Sequence, residues 1–192
     1  MKRTPKGKPG YLNYKKKVEI IRTIIYFLIV AAVFFLGYSQ THTKKNLLTI
    51  VAVVGCLPAC KALVGVIIRF PYKSIAVAKA KDIRKKAEHL TVIYDLIVTS
   101  REKVMPIDCV VISGTSIFGY TTNAKVDLKY AADHIRTILS QNQLDVSTIK
   151  IFNSYSSFIS RVEGLSSIAA VEKADTKQLE RKMAQVILNI SM

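Results

Sequence analysis

Two long apolar runs occupy the first 70 residues, and everything beyond them is patterned at shorter range. Residues 18–38 hold only three polar positions, Glu19, Arg22 and Thr23, all at the start of the run. As an α-helix these 21 residues rise about 32 Å, enough to cross a hydrocarbon core. Residues 46–70 form the second run, with one charge in its interior, Lys61, a second, Arg69, at its end, and one proline, Pro58. The connection, residues 39–45, is seven residues long, so the pattern predicts a tight antiparallel transmembrane hairpin with both ends on one side. A cleaved secretory signal would have a shorter apolar core and a small-residue cleavage site. The stretch Phe34-Phe35-Leu36-Gly37-Tyr38 is a poor site, and a second apolar run follows it.

After Pro71 the period shortens. Residues 72–89 read as a basic helix. Residues 90–99 (LTVIYDLIVT) are β-rich and too apolar for a surface loop, so they read as a strand. Residues 108–113 and 116–121 flank Gly114-Thr115, a Gly-X link that predicts a hairpin with a type II′ turn. Over residues 126–143, Val126, Tyr130, Ile135, Ile138 and Leu139 fall on one helical face. Residues 148–152 read as a further strand. Residues 154–164 read as a short helix, with Tyr155, Phe158, Ile159 and Val162 one face apart. Asp175 can cap a last helix, with Gln178 three residues on and a stripe of Leu179, Met183, Val186, Ile187 and Ile190. The predicted class is α/β: a transmembrane helical hairpin, then a small mixed α/β domain ordered helix, three strands, helix, strand, two helices. The segments are a basic N-terminus (1–17), the hairpin (18–70), a basic juxtamembrane helix (71–89) and the α/β domain (90–192).

Charge changes this picture in one respect. The net charge is +16, but residues 1–86 carry 18 Lys and Arg against 2 acids, whereas residues 87–192 carry 11 of each sign. A nucleic-acid-binding domain carries a basic face of its own, so nucleic acid is not an expected partner. The excess flanks the apolar runs. Lys2, Arg3, Lys6, Lys8, Lys15, Lys16 and Lys17 precede the first; Arg69, Lys73, Lys79, Lys81, Arg84, Lys85 and Lys86 follow the second. The connection has only Lys44 and Lys45. This bias predicts a two-pass plasma (inner) membrane protein of bacterial type with both termini cytoplasmic. Lys79, Lys81, Arg84, Lys85 and Lys86 are the candidate surface for an anionic inner leaflet, each gaining about 1 kcal/mol near it.

Lys61 is the one charge in the interior of the second run. Its expected behaviour is to snorkel toward the cytoplasmic surface; the alternative is a role in assembly. No acid of either run is placed to meet it, because Glu19 is expected at a helix end. Gly55, Ala59, Ala62 and Gly65 give the second helix small positions that allow close packing.

Candidate chemistry is sparse. Cys56, Cys60 and Cys109 have neither metal spacing nor a disulfide framework, and suit a reducing cytoplasm. His42, His89 and His134 are scattered. Gly114-Thr115-Ser116-Ile117-Phe118-Gly119 is one residue too long for a nucleophile elbow and lies in a predicted hairpin. There is no phosphate-binding G-x-x-x-x-G-K-[ST] loop and no G-x-G-x-x-G. No catalytic residue, metal site or cofactor is predicted.

One family pattern is visible. Ile93-Tyr94-Asp95-Leu96, then residues 106–113 (PIDCVVIS), Ile117-Phe118, a helix and residues 149–152 (IKIF) together resemble the nuclease-related branch of the restriction-endonuclease-like fold. In that family an Asp on one strand and a Glu and a Lys on the next hold a divalent metal and activate water. The resemblance, over residues 90–152, gives Asp108 the first role. The Glu and Lys positions fall at Thr121 and Asn123. Threonine is not an anionic ligand and asparagine is not a cation, so the resemblance implies a metal-free relic with nuclease activity lost.

The sequence therefore points to a membrane-anchored cytoplasmic interaction or scaffold domain without catalytic activity. Its expected partners are the bilayer and either a protein or a second copy of the chain. The alternatives are a membrane-tethered nuclease-like hydrolase using Asp108, or an oligomeric transport component built around Lys61.

Overall fold

A computed structural model describes residues 4–41, 47–172 and 176–191. Lys2, Arg3, Lys44, Lys45 and Asp175 lie outside the described residues, and so does most of the connection between the apolar helices. The chain divides into two compact units, one of residues 12–73 and one in which the residues up to Tyr11 join residues 74–192.

The first unit is a pair of helices, α1 (Tyr11–Thr41) and α2 (Leu47–Arg69). Both are long and apolar enough to cross a membrane, and only 11% of each apolar stretch is buried, unlike the core helix of a soluble domain. Helix α1 starts earlier than its apolar run because Lys15–Lys17 continue the helix. The Lys16 ammonium donates to the Phe70 carbonyl at 2.7 Å, serving an end group of α2. Helix α2 runs through Pro58. The two pack through small residues: Ala52 and Ala59 are buried, and a Cβ on Gly55 would stand 3.2 Å from Val30 Cγ2.

The second unit has the predicted order of elements: α3 (Val77–Lys86), β1 (Thr91–Thr99), β2 (Val104–Ser113), β3 (Ser116–Tyr120), α4 (Leu128–Gln141), β4 (Thr148–Phe152), α5 (Tyr155–Glu172) and α6 (Lys177–Ile190). The sheet order is β1-β2-β3-β4, antiparallel except for β4, which runs parallel to β3 across the α4 crossover. Gly114 takes φ +54° in the two-residue β2–β3 link, the positive φ that such a turn needs at its first position. One face of the sheet packs Ile107, Val110, Ile117 and Ile151 against Ile135 and Leu139 of α4 and Met183 and Ile187 of α6. The other packs Tyr94, Cys109, Val111 and Phe118 against Ile83 of α3 and Phe158 and Val162 of α5. Two cores thus sandwich one sheet.

Strands β1 and β2 each change face midway. Ile93 shares a core with Leu96 and Val98, and Ile107 shares it with Val110, so inward alternation slips by one residue in both strands. The residues that step out are Asp95 and Asp108, at one level between the pairs Tyr94↔Cys109 and Leu96↔Ile107. Register is unchanged because each strand gives up one residue. Asp95 takes φ +57° and is buried, and its Oδ1 accepts from the Ile75 amide at 2.9 Å. That bond draws buried Ile75 against the sheet as extended chain, so α3 begins at Val77 rather than at residue 72.

Other boundaries differ for local reasons. Helix α4 is capped by Asp127, whose carboxylate accepts from the Tyr130 amide at 3.0 Å, so it starts after Val126 rather than at it. Helix α5 does not stop at Gly164 but continues to Glu172, because Leu165 and Ala169 extend its packing on the sheet. A buried carboxylate on α6 ties three elements together. Glu180 accepts from the Thr91 hydroxyl at 2.5 Å, the Gly114 amide at 2.9 Å and the Thr176 hydroxyl at 3.0 Å.

The outer edge of β1 is covered from both ends of the chain. The Tyr94 amide donates to the Gly7 carbonyl at 2.9 Å, and Val98 forms an antiparallel bridge with Ser191. The Lys6 ammonium donates to the Ser191 carbonyl and joins the two covering segments. Covering an edge in this way removes a template for unwanted strand pairing.

Candidate functional site

Three places gather the polar side chains singled out by the sequence. The first lies within the hairpin. Since α1 starts at Tyr11, Glu19 sits inside the helix and not at its end, which corrects the expected position. Its carboxylate pairs with Arg69 at 2.7 Å and lies 3.8 Å from Lys15. Arg69 also donates to the Gly65 carbonyl at 3.2 Å. A Cβ on Gly65 would stand 3.2 Å from Glu19 Oε2, so the missing side chain is what lets the carboxylate approach α2. Arg69, expected as a flanking charge, is thus an ion-pair partner within the hairpin.

Beside this pair is a notch of about 370 Å³ lined by Glu19, Arg22, Tyr26, Pro58, Lys61, Ala62, Gly65 and Arg69. It holds three cations and one acid. Arg22 and Lys61 are exposed and have no acidic partner among the described residues. A lone Lys or Arg near mid-bilayer costs roughly 2.5–3.5 kcal/mol on insertion scales. The notch therefore concentrates charge where an apolar surrounding would penalise it.

The second place is a groove of about 770 Å³ on the α/β unit, with Leu90, Val92 and Tyr94 on β1 and the turn before it, Lys81, Arg84, Lys85 and Glu88 beside α3, and Gly7, Lys8 and Pro9 from the N-terminal segment. The basic cluster read from the sequence is divided by the structure. Lys81, Arg84 and Lys85 line the groove and carry no ion pair among the described residues. Lys79 instead lies over the rings of Tyr155 and Tyr120, 5.0 and 5.3 Å from their centres, and donates to the Tyr120 hydroxyl at 3.0 Å. Lys86 pairs with Glu163 at 3.0 Å and Asp82 at 3.6 Å, which keeps its pKa above the usual lysine value. The groove's fourth cation, Lys8, belongs in the sequence only to the N-terminal flank. No local pattern links position 8 to positions 81–85, since the link is the Gly7–Tyr94 hydrogen bond.

The third place is Asp108. Its Oδ2 accepts from the Thr122 amide at 2.7 Å and the Thr122 hydroxyl at 2.6 Å. Thr121, at the position where the family pattern has Glu, donates its hydroxyl to the Pro106 carbonyl at 2.8 Å and accepts from the Asn123 amide at 3.1 Å. These residues cluster at one end of the β2–β3 pair and spend their polar groups on one another. No group of three His, Cys, Asp or Glu side chains is placed to hold a metal ion among the described residues. The adjoining thiol and phenols are held in their neutral forms. Burial pushes the Cys109 thiol and the Tyr94 and Tyr155 phenols up, and for Tyr155 the hydrogen bond to Asp82 at 2.7 Å adds to this. A thiol in that state is a poor nucleophile.

No protein-family model, curated protein or solved structure matches this chain.

Proposed function

We propose that the chain is a two-pass integral membrane protein of the bacterial inner membrane, with both termini cytoplasmic, whose α/β unit is a non-catalytic interaction module. The observation that carries this reading is the hairpin: two long apolar helices whose large side chains, among them Ile24, Leu28, Phe35, Val53, Leu57 and Ile67, face outward. Burying these in lipid satisfies them at about 25 cal/mol per Å² of apolar surface removed from water. The basic residues crowd at the outer ends of the two helices, which sets orientation under the positive-inside bias. The module reading draws support from the polar groups of the α/β unit. Asp95, Asp108, Asp127 and Glu180 each hold backbone or side chains in place, and Lys79 and Lys86 are likewise engaged. The unit's partner is a protein or a second copy, joined at the inner face.

The test has two readouts. The full chain should stay in the membrane pellet after alkaline carbonate extraction. A C-terminal fusion to a reporter active only outside the cytoplasm should be silent, while a cytoplasmic reporter should be active. Release by carbonate, or activity of the external reporter, would overturn the anchor or its topology. A second reading, a membrane-tethered nuclease-like hydrolase, is favoured by the sheet order and by Asp108 standing beside residues 121–123. Under that reading Mg²⁺ or Mn²⁺ binds the full chain and the binding vanishes in Asp108→Asn; under the first, neither protein binds either ion.

A further inference from the structure

The hairpin notch carries an unmatched charge, and the surroundings say what matches it. Glu19 is the only acid in residues 11–70. It is already engaged by Arg69 at 2.7 Å, with Lys15 at 3.8 Å, which leaves Arg22 and Lys61 in excess. A second copy of the hairpin cannot supply the missing anion, since its own Glu19 is engaged in the same way. Self-association through this face would add cations to cations.

We propose that the notch beside Pro58 and Gly65 binds the phosphate headgroup of an anionic phospholipid, with Arg22 and Lys61 contacting the phosphate oxygens. The inference rests on the membrane reading above. Three observations support it. Both cations are exposed, so a lipid reaches them from the side without the helices parting. Arg22 lies four residues inside the apolar run that begins at Val18, about 6 Å along the helix, and an arginine side chain spans that depth to the phosphate level. The notch is also lined by Tyr26, Pro58 and Ala62, an apolar surface with one hydroxyl that suits the glycerol end of a lipid. Basic pockets between transmembrane helices on the cytoplasmic side are known receptors for multiply charged headgroups. Two excess cations match two negative charges best: either two phosphodiesters on one lipid or one phosphomonoester.

Native mass spectrometry of the full chain in detergent tests this. The probes are a lipid with two phosphodiesters, a lipid with one phosphomonoester, one with a single phosphodiester anion, and a zwitterionic lipid. The doubly charged lipids should bind at least tenfold more tightly than the zwitterionic one. Arg22→Gln/Lys61→Gln should abolish that preference, and Arg22→Lys/Lys61→Arg should keep it. Lys81→Gln/Arg84→Gln/Lys85→Gln should also keep it, because those residues line a different groove. Inorganic phosphate at millimolar concentration should neither bind nor displace the lipid. Unchanged lipid preference in Arg22→Gln/Lys61→Gln would overturn the proposal. So would displacement of lipid by free phosphate, or cross-linking of Lys61 to an acidic residue of another protein in native membrane. Carbonate extraction of the same preparations separates the two claims. A chain that resists extraction but shows no preference refutes the lipid site alone; a chain that is released refutes the membrane reading and the lipid site with it.

Discussion

Removing the Glu180 carboxylate offers the sharpest test of how the α/β unit is held. Glu180 is 3% exposed and receives hydrogen bonds from β1, from the β2–β3 turn and from the residue before α6. Each bond to a charged acceptor is worth about 1.5–3 kcal/mol taken alone. The three share one carboxylate and do not add. Lys177, half exposed at 3.8 Å, contributes little because solvent screens it. Glu180→Ala leaves the Gly114 amide and two hydroxyls without their acceptor, as in breaking a buried polar network, and should cost about 3–5 kcal/mol. Glu180→Gln keeps the shape and one carbonyl acceptor and should cost about 1–2 kcal/mol. Cys109 is fully buried in β2 and reports unfolding directly. In the full chain in detergent, with Cys56→Ser and Cys60→Ser in the background, its thiol should become labelled as urea unfolds the unit. The midpoint should fall far in Glu180→Ala and slightly in Glu180→Gln. A Glu180→Ala protein within about 1 kcal/mol of the parent, or equal costs for the two variants, would refute this account of the clamp.

In the hairpin, Gly65→Val should lower thermal stability in detergent by about 1–3 kcal/mol and Gly65→Ala by less, because even a Cβ meets Glu19 Oε2 at 3.2 Å; both are read by helix loss in circular dichroism. Raising pH should destabilise the α/β unit. Tyr94, Tyr155 and Cys109 have folded pKa values above their ordinary ones, so the folded state holds more protons, and stability present below about pH 9 is lost as pH rises beyond the ordinary thiol and phenol values. The urea midpoint should therefore fall from pH 9 to 11, and two of the nine tyrosines should ionise only on unfolding, seen in the tyrosinate absorbance. At Asp95, Asn tolerates the positive φ and still accepts from the Ile75 amide, so Asp95→Asn should cost under about 1 kcal/mol; Asp95→Val loses the acceptor and strains a β-branched residue, and should cost about 3 kcal/mol or more by the same urea assay.

The order of elements was legible because period is a local property. A run of 21 apolar residues, a Gly-Thr link between β-rich stretches and an i, i+3, i+4 stripe each declare themselves within a few residues. What stayed hidden depends on distant partners. The strand over residues 91–99 has no steady alternation, and the reason, a paired step at Asp95 and Asp108, exists only once β1 and β2 are laid side by side. Gly164 reads as a stop when the helix is considered alone, but packing of Leu165 and Ala169 outweighs a cost of about 1 kcal/mol. The candidate sites follow the same rule. The sequence found Lys61 and the basic helix but not Arg22 and Glu19 of α1 as the neighbours of the one, nor Lys8 as part of the other, since each is brought in by a different segment.

Magnitudes also change what the juxtamembrane charges mean on the proposed reading. Of the five basic residues assigned to the membrane surface, Lys79 and Lys86 are bonded within the α/β unit, which leaves Lys81, Arg84 and Lys85, joined by Lys8. At about 1 kcal/mol each near an anionic leaflet, four cations supply about 4 kcal/mol. That sum is marginal as a sole anchor, comparable to a single lipid chain's reversible hold, and adds nothing detectable to a two-helix insertion that is effectively irreversible. The cations of the groove are therefore not what keeps the chain at the membrane. What 4 kcal/mol can do is bias a tethered unit about a thousandfold toward presenting one face to the leaflet. The groove face carries those cations, and the face formed by α4 and α6 lies on the opposite side of the sheet from α3. On the proposed reading, the α4 and α6 face, which carries none of the groove's cations, is the face left for a protein partner of the module.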